Sequence, residues 1–400
     1  MFKASLEAAD LQRALKYVKP IAGHKSHMPV FNCVKLEARP GALEVTAYDG
    51  TTTVYMLVMA DTGQCEPIII PFKGLTAALP AKGHIKLDGK DLDLVVHYIN
   101  SKAYVTGGIA LNDYPKLQAP EIITSSSHNY TDQLRKALNK TLHAVSADEG
   151  RLGLNGLSFK KQKNFWRLCG TDGHRLSLMD LDFHVDGPAE EAIVPRTACL
   201  ALQARLNDRK KGEAKLHLGI MFTSGVRARS ATKTTPAVDR VPDWATFKLD
   251  GMSIVTQLVD DTFPDYTQVM PKPNDLAVKF KVDRKAWIKA CAAVYKANVA
   301  VCKANRASGR ASGRNTPSAK HELTPTGLTL TSGDLKAKVP ASLLGEPVEH
   351  LWGMNTQYIK QALESLGTKE VDCSLTHSKQ SPLFVTEGSN HLQIIMPIRI

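Results

Sequence analysis

The sequence predicts an α+β protein of three similar domains, each with two helices packed on antiparallel sheets. Three observations predict it. An amphipathic helix opens each of three segments; a β-like run broken by a tight turn follows about forty residues on; and a second helix begins about sixty to seventy residues after each start. The opening helices are ADLQRALKYV from Ala9, TDQLRKALNKTLHAV from Thr131 and DRKAWIKACAAVYKANVAVCK from Asp283. Asp10, Thr131 and Asp283 are their expected N-caps. The broken β runs are LEVTAYDGTTTVYM, WRLCGTDGHRLSLM and LTLTSGDLKAKV, and the second helices lie near PFKGLTAAL, VPRTACLALQARL and MNTQYIKQALESL. Repeats of this size exceed the roughly 20 to 45 residues of a solenoid unit, so each needs its own core.

An odd turn is written twice. DTFPDYTQVMPKP (261–273) and LNDYPKLQAPE (111–121) share an acidic residue, an aromatic, a proline and a second proline in the same order. The turn closes the first two modules, and the third closes on the chain end, HLQIIMPIRI. The expected domains are 1–124, 125–272 and 273–400, with boundaries at the SSSHN and PKPND stretches.

Composition bounds the function. With 400 residues, 43% hydrophobic and 22% charged, the chain reads as an ordinary soluble protein with room for several cores. It has no apolar run of 18 residues and no signal peptide, so a cytoplasmic location without a membrane partner is expected. Seven scattered cysteines without a CxxC pair read as reduced thiols, with no metal site. A net charge of +12 raises the prior for a polyanionic partner such as nucleic acid.

The opening helices supply a face for such a partner. At 100° per residue, Leu11, Ala14, Leu15 and Val18 fall together while Arg13, Lys16 and Lys19 point away. The second helix groups Leu134, Leu138, Leu142 and Val145 apart from Arg135, Lys136 and Lys140. In the third, Lys285, Lys289, Lys296 and Lys303 form one stripe behind Trp287, Cys291 and Val294. Three basic faces at equivalent places predict salt-sensitive phosphate contacts without sequence reading.

Chemistry is harder to find. The chain lacks GxxxxGK[ST], GxGxxG, GxSxG and HExxH motifs. Asp172 and His174 in TDGHRL, and the acidic group Asp260, Asp261 and Asp265, are the nearest candidates for a catalytic site. A DG dipeptide between strands is more simply a hairpin turn, and YDG at 48–50 repeats it without a histidine. No catalytic residue and no cofactor is therefore expected.

The stretches SADEGRLGLNGLSF (146–159), GTDGHRLSLM (170–179), DDTFPDYTQVMPK (260–272) and IIMPIRI (394–400), with MPVFNCVKLEA (28–38), resemble the bacterial DNA polymerase III beta subunit, the sliding clamp. The resemblance runs through the whole chain in order. It implies a head-to-tail homodimer whose ring surrounds duplex DNA, with the opening helices lining the hole and Lys25 as a further DNA contact. It implies as partners the DNA polymerase III alpha subunit, a clamp loader complex and other replication and repair proteins that carry a clamp-binding motif.

The resemblance also implies a cleft for a short apolar peptide. One side would use Leu154, Thr171, Gly173, His174, Arg175, Leu176, Pro264 and Val269. The other would use Asn355, Tyr358, Ser381, Pro382, Met396, Pro397, Ile398 and Arg399. Gln268, Ile398 and Ile400 depart from the commoner clamp residues, and clamps are usually acidic overall. The excess basic charge here lies partly in the loops at 205–215, 226–240 and 302–321. The competing expectation is a basic architectural protein that binds DNA from outside without encircling it.

Overall fold

A computed structural model describes residues 1–23, 26–117, 128–182, 185, 190–208, 217–224, 242–307, 318–346, 348–376, 378 and 380–398. In the first repeat β1 (Phe2–Glu7) runs directly into α1 (Ala8–Ala22). Then come β2 (Cys33–Arg39), β3 (Ala42–Tyr48), β4 (Thr52–Met59), β5 (Asp61–Thr62), β6 (Ile68–Pro71), α2 (Phe72–Ala78), β7 (His84–Lys90), β8 (Asp93–Tyr98) and β9 (Ser101–Val105). The second holds α3 (His128–Thr141), β10 (Gly156–Lys161), β11 (Trp166–Thr171), β12 (Arg175–Leu181), β13 (Glu191–Pro195), α4 (Arg196–Asn207), β14 (Leu218–Ser224), β15 (Pro242–Leu249) and β16 (Met252–Gln257). The third holds β17 (Val278–Asp283), α5 (Arg284–Ala307), β18 (Ser318–Thr324), β19 (Gly327–Ser332), β20 (Leu335–Val339), β21 (Ala341–Leu343), β22 (His350–Asn355), α6 (Thr356–Glu364), β23 (Glu370–Leu375), β24 (Leu383–Thr386) and β25 (His391–Ile395). Helix, strands, helix, strands thus recurs three times, with a strand, β1 or β17, leading into the opening helix of the first and third repeats.

By packing, the chain divides into two compact units. One comprises Met1–Lys136 with Asp182–Asp261, the other Ala137–Leu181 with Thr262–Ile400. In the first unit, strands run β5-β1-β7-β8-β9 and β14-β15-β16-β4-β3-β2-β6. The second contains the run β10-β11-β12-β25-β24-β23-β17-β21 and the sheet β20-β19-β18-β22. Each unit pairs strands from two repeats: β16 with β4 (Met252↔Met56), and β25 with β12 (Ile395↔Arg175), both antiparallel. A buried hydroxyl pair, Thr52 to Thr256 at 2.8 Å, ties the first of these joints.

The helices bury the faces their periodicity marks. Leu11, Ala14, Leu15 and Val18 are buried in the first unit, where α1 packs on α4. In the second unit α5 packs on α6 and buries Trp287, Cys291 and Val294. Removing apolar side chains of this size from water stabilises by roughly 1.5–3 kcal/mol each.

Only one expected N-cap is a cap. The Asp283 carboxylate accepts from the Ala286 N–H at 2.7 Å at the start of α5. Asp10 instead lies in the first turn of α1, because β1 passes into the helix at Ala8, whose N–H bonds the Gly83 carbonyl at 2.9 Å. Thr131 is inside α3, which begins one turn earlier at His128. Of the cysteines, Cys33, Cys169, Cys199, Cys291 and Cys373 are buried free thiols and Cys65 is half-buried. Burial pushes Cys33 up to about 11 and the other four buried thiols higher, so they stay protonated and unreactive. Among the described residues no helix is long and apolar enough to cross a membrane.

Candidate functional site

Both DG turns are hairpins, and the left-handed glycine is the reason. Gly50 and Gly173 have φ of 104° and 86°. The aspartate before each glycine holds the turn: Asp49 accepts from Thr51 and Thr52 N–H groups, and Asp172 from His174 and Arg175 at 2.9 and 3.1 Å. Asp265 likewise accepts from the N–H and hydroxyl of Thr267, which hold its carboxyl below the usual range. Of the carboxylates first weighed as an acid–base site, Asp172 and Asp265 are therefore engaged in turn formation.

The second unit brings His174, Arg175, Leu176, Tyr358 and Met396 together at the 171–176 hairpin. The Arg175 side chain, 9% exposed, donates from Nε to Asp172 at 3.0 Å and from Nη1 to Gln361 of α6. Its guanidinium lies 4.3 Å from the centre of the Tyr358 ring, and the His174 ring stacks on the same tyrosine at 6.5 Å. Burial pulls the Arg175 guanidinium below its ordinary value, with the charge of Asp172 opposing. Burial raises the Tyr358 phenol, with Asp172 adding to it. β12 and β25 set Leu176 opposite Ile394, and the tail then continues across the turn. The Met396 N–H bonds the His174 carbonyl and the Ile398 N–H bonds the Gly353 carbonyl, each at 2.9 Å.

Other expected residues have local roles. The Asn355 side chain caps α6, accepting from Gln357 and Tyr358 N–H groups. Ser381, 1% exposed, accepts from the Thr376 N–H at 2.7 Å and donates to the Pro382 carbonyl at 2.8 Å. Thr171 donates to the Arg175 carbonyl at 2.7 Å across the hairpin. Pro264 and Val269 are exposed on the proline turn, which is anchored beside them by the buried Phe263 ring against Tyr266. Leu154 is buried at the end of a single 3₁₀ turn, and Pro397 is half-buried in the tail. Lys25 and Arg399 lie outside the described residues.

Sequence reasoning missed two supporting residues. Arg151 donates to the Asp172 carbonyl at 2.8 Å and so links the Leu154 turn to the hairpin. Gln361 receives Arg175. Both are polar side chains on exposed-looking sequence, and only the three-dimensional path brings them to the site.

The basic faces are unevenly free. Lys285, Lys289 and Lys296 on α5 are exposed, as is Lys136 on α3. Arg135 is 3.6 Å from Asp132. On α1, Arg13 and Lys16 reach Asp208 at the end of α4, at 3.8 and 3.2 Å, and the buried Tyr17 donates to the same carboxylate. Burial would raise the Asp208 carboxyl, but Tyr17 and Lys16 hold it below the usual range. Lys140 is not on an open face: its ammonium is engaged by Glu387, with both side chains largely buried. The basic stretches 209–216, 225–241 and 308–317 lie outside the described residues.

The family model of the DNA polymerase III beta subunit central domain matches residues 130–265. The likeness extends to both ends. The beta sliding clamp of Synechococcus elongatus is 24% identical over 406 residues, covering 98% of this chain and 97% of that protein. The beta sliding clamp of Vibrio cholerae is 22% identical over 413 residues, with 100% of each chain covered. Among solved structures, the beta subunit of Thermotoga maritima superposes with a TM-score of 0.75 at 20% identity, over the whole of both chains. That of Pseudomonas aeruginosa gives 0.71 at 22%, again over the whole of both. The chain therefore carries the clamp fold throughout its length.

Proposed function

We propose that the chain is a DNA sliding clamp: a three-domain protomer, divided near residues 124 and 272, that closes head to tail with a second copy around duplex DNA. It catalyses nothing; it tethers a polymerase and other partners and so makes synthesis processive. A heterologous contact that closes after two copies makes a ring, and a ring holds DNA even when each phosphate contact exchanges quickly. The exposed lysines of α5, with Lys136, Arg135, Arg13 and Lys16, would meet phosphates as mobile point charges. Lys140 would have to leave Glu387 to join them.

What supports the reading most is that the 171–176 hairpin, α6 and the tail 396–398 meet in one unit, on the residues that the beta-subunit resemblance assigns to partner binding. Met396 beside the hairpin and the exposed Val269 offer apolar surface, while His174 and Tyr358 present a stacked polar edge. A peptide with an apolar anchor would lie against these, with DNA polymerase III alpha subunit and clamp loader as its expected sources. Tail deletion from Met396 onward should abolish binding of a labelled polymerase-tail peptide in fluorescence anisotropy while leaving the dimer intact. Tyr358→Ala should weaken it by roughly 0.5–2 kcal/mol through the lost stacking and cation–π support of Arg175. Undiminished affinity in both variants would refute the cleft.

A further inference from the structure

The twice-written turn covers different chemistry in its two places. Matching Tyr114–Pro115 to Phe263–Pro264 sets Leu117 in the place of Tyr266. Counting from the two DG hairpins sets Glu44 and Leu57 in the places of Arg167 and Asp180, and each pair faces across its hairpin in the same register. In the second repeat these positions are filled: Arg167 binds Asp180 twice, at 2.6 and 2.8 Å, and its charge acts on the Tyr266 phenol. In the first repeat no such clasp can form from Glu44, Leu57 and Leu117. A cavity of about 560 Å³ lies there instead, wholly within the first unit.

The lining of that cavity points to a ligand. Four cations line the cavity, and two are already matched: Lys35 by Glu37 at 2.7 Å, and Arg39 by Glu37 and Glu44 at 3.0 and 3.1 Å. Lys116 and Lys248 have no acidic partner among the described residues and are exposed. Leu57 and Leu111, 47% and 45% exposed, extend the apolar lining past the cavity mouth.

We propose that this cavity is a second peptide site, for a segment with an apolar side chain flanked by carboxylates. The apolar side chain would rest on Leu57, Leu111 and Met252, and the carboxylates would meet Lys116 and Lys248. The apolar floor disfavours a nucleic acid phosphate, and the exposed leucines reach further than one small carboxylate would cover. The volume falls within the roughly 300–1,000 Å³ of ligand pockets, enough for an anchor and its neighbours. This site shares no residue with the 171–176 cleft and does not depend on it.

Fluorescence anisotropy with the full chain and fluorescein-labelled acetyl-Glu-Asp-Leu-Asp-Glu at near-physiological salt tests the proposal. Saturable binding is expected, weakened at least tenfold by Lys116→Glu with Lys248→Glu and unchanged by removing 396–400. Far-ultraviolet circular dichroism of each variant verifies that it is folded. Absence of saturable binding would overturn the site, as would equal affinity in the lysine double variant. Equal binding of acetyl-Glu-Asp-Gly-Asp-Glu would show charge attraction alone, and loss on removing 396–400 would move the peptide to the other cleft. Hexanoate binding with the peptide silent would replace the peptide by a small acid and also overturn it.

Discussion

His321 lies fully buried between Trp287 and Trp352, with ring centres 6.1 and 5.7 Å away. Burial pushes its pKa down to about 4, and His391, 2% exposed, is pushed down by burial and by Lys140 to about 4 as well. Folded, both rings stay neutral; unfolded, they take up a proton near the ordinary value of about 6.5. Their contribution is therefore full above about 6.5 and is lost as pH falls toward 4, at roughly 1.4 kcal/mol per pH unit for each ring. Denaturant titrations followed by tryptophan fluorescence should show the midpoint falling between pH 7 and 5, and a shallower fall in His321→Leu. A flat profile, or an unchanged slope in that variant, would contradict the assignment. At this scale the sequence was legible where one residue type has one use, as in the glycines of the two DG hairpins. It was opaque where a side chain's partner is distant: nothing near Arg175 in sequence announces Gln361, and Ser381 reads as a cleft residue although its hydroxyl is spent on the backbone.

The helices were legible because a period of 3.6 separates their faces without knowledge of the neighbours. Their basic sides behave differently once packed. Lys285, Lys289 and Lys296 have no acidic partner among the described residues, so Lys285→Glu with Lys289→Glu should weaken DNA binding and reduce the slope of log K against log salt by about 0.9 for each lost contact. An unchanged slope would remove α5 from the DNA face. Lys140→Ala has a different expected readout, because Glu387 is held below its usual range, against its own burial, by Lys140 and by the N–H groups of Gly367 and Thr368. Truncating Lys140 strands a largely buried carboxylate and should destabilise by about 3–5 kcal/mol at the upper limit for a buried pair. Thermal denaturation measures it, and a melting temperature equal to that of the parent would show the pair contributes little. Strand pairing was the least legible element: β12 with β25, and β4 with β16, join residues of different repeats, and period-two alternation says which face a strand buries but never which strand lies beside it.

At the scale of the whole molecule, the threefold order of helices and strands and the fold likeness over the full chain agree with the reading made from the repeats. The resemblance carried the site further than physical reasoning alone could, since apolar residues such as Leu154 and Val269 look like ordinary core until the motif context is seen. The same repetition exposes what is not repeated: Glu44, Leu57 and Leu117 line a cavity where the second repeat has Arg167, Asp180 and Tyr266. The claim that matters most is encirclement. It is tested most directly by loading the protein with its clamp loader on nicked circular DNA, isolating the complex at moderate salt, and cutting the circle once. The account predicts a dimer of twice the 43.7 kDa chain that stays on circles and runs off within minutes of linearisation. Equal retention on circular and linear DNA, with the protein monomeric, would contradict it and favour a basic protein that binds from outside.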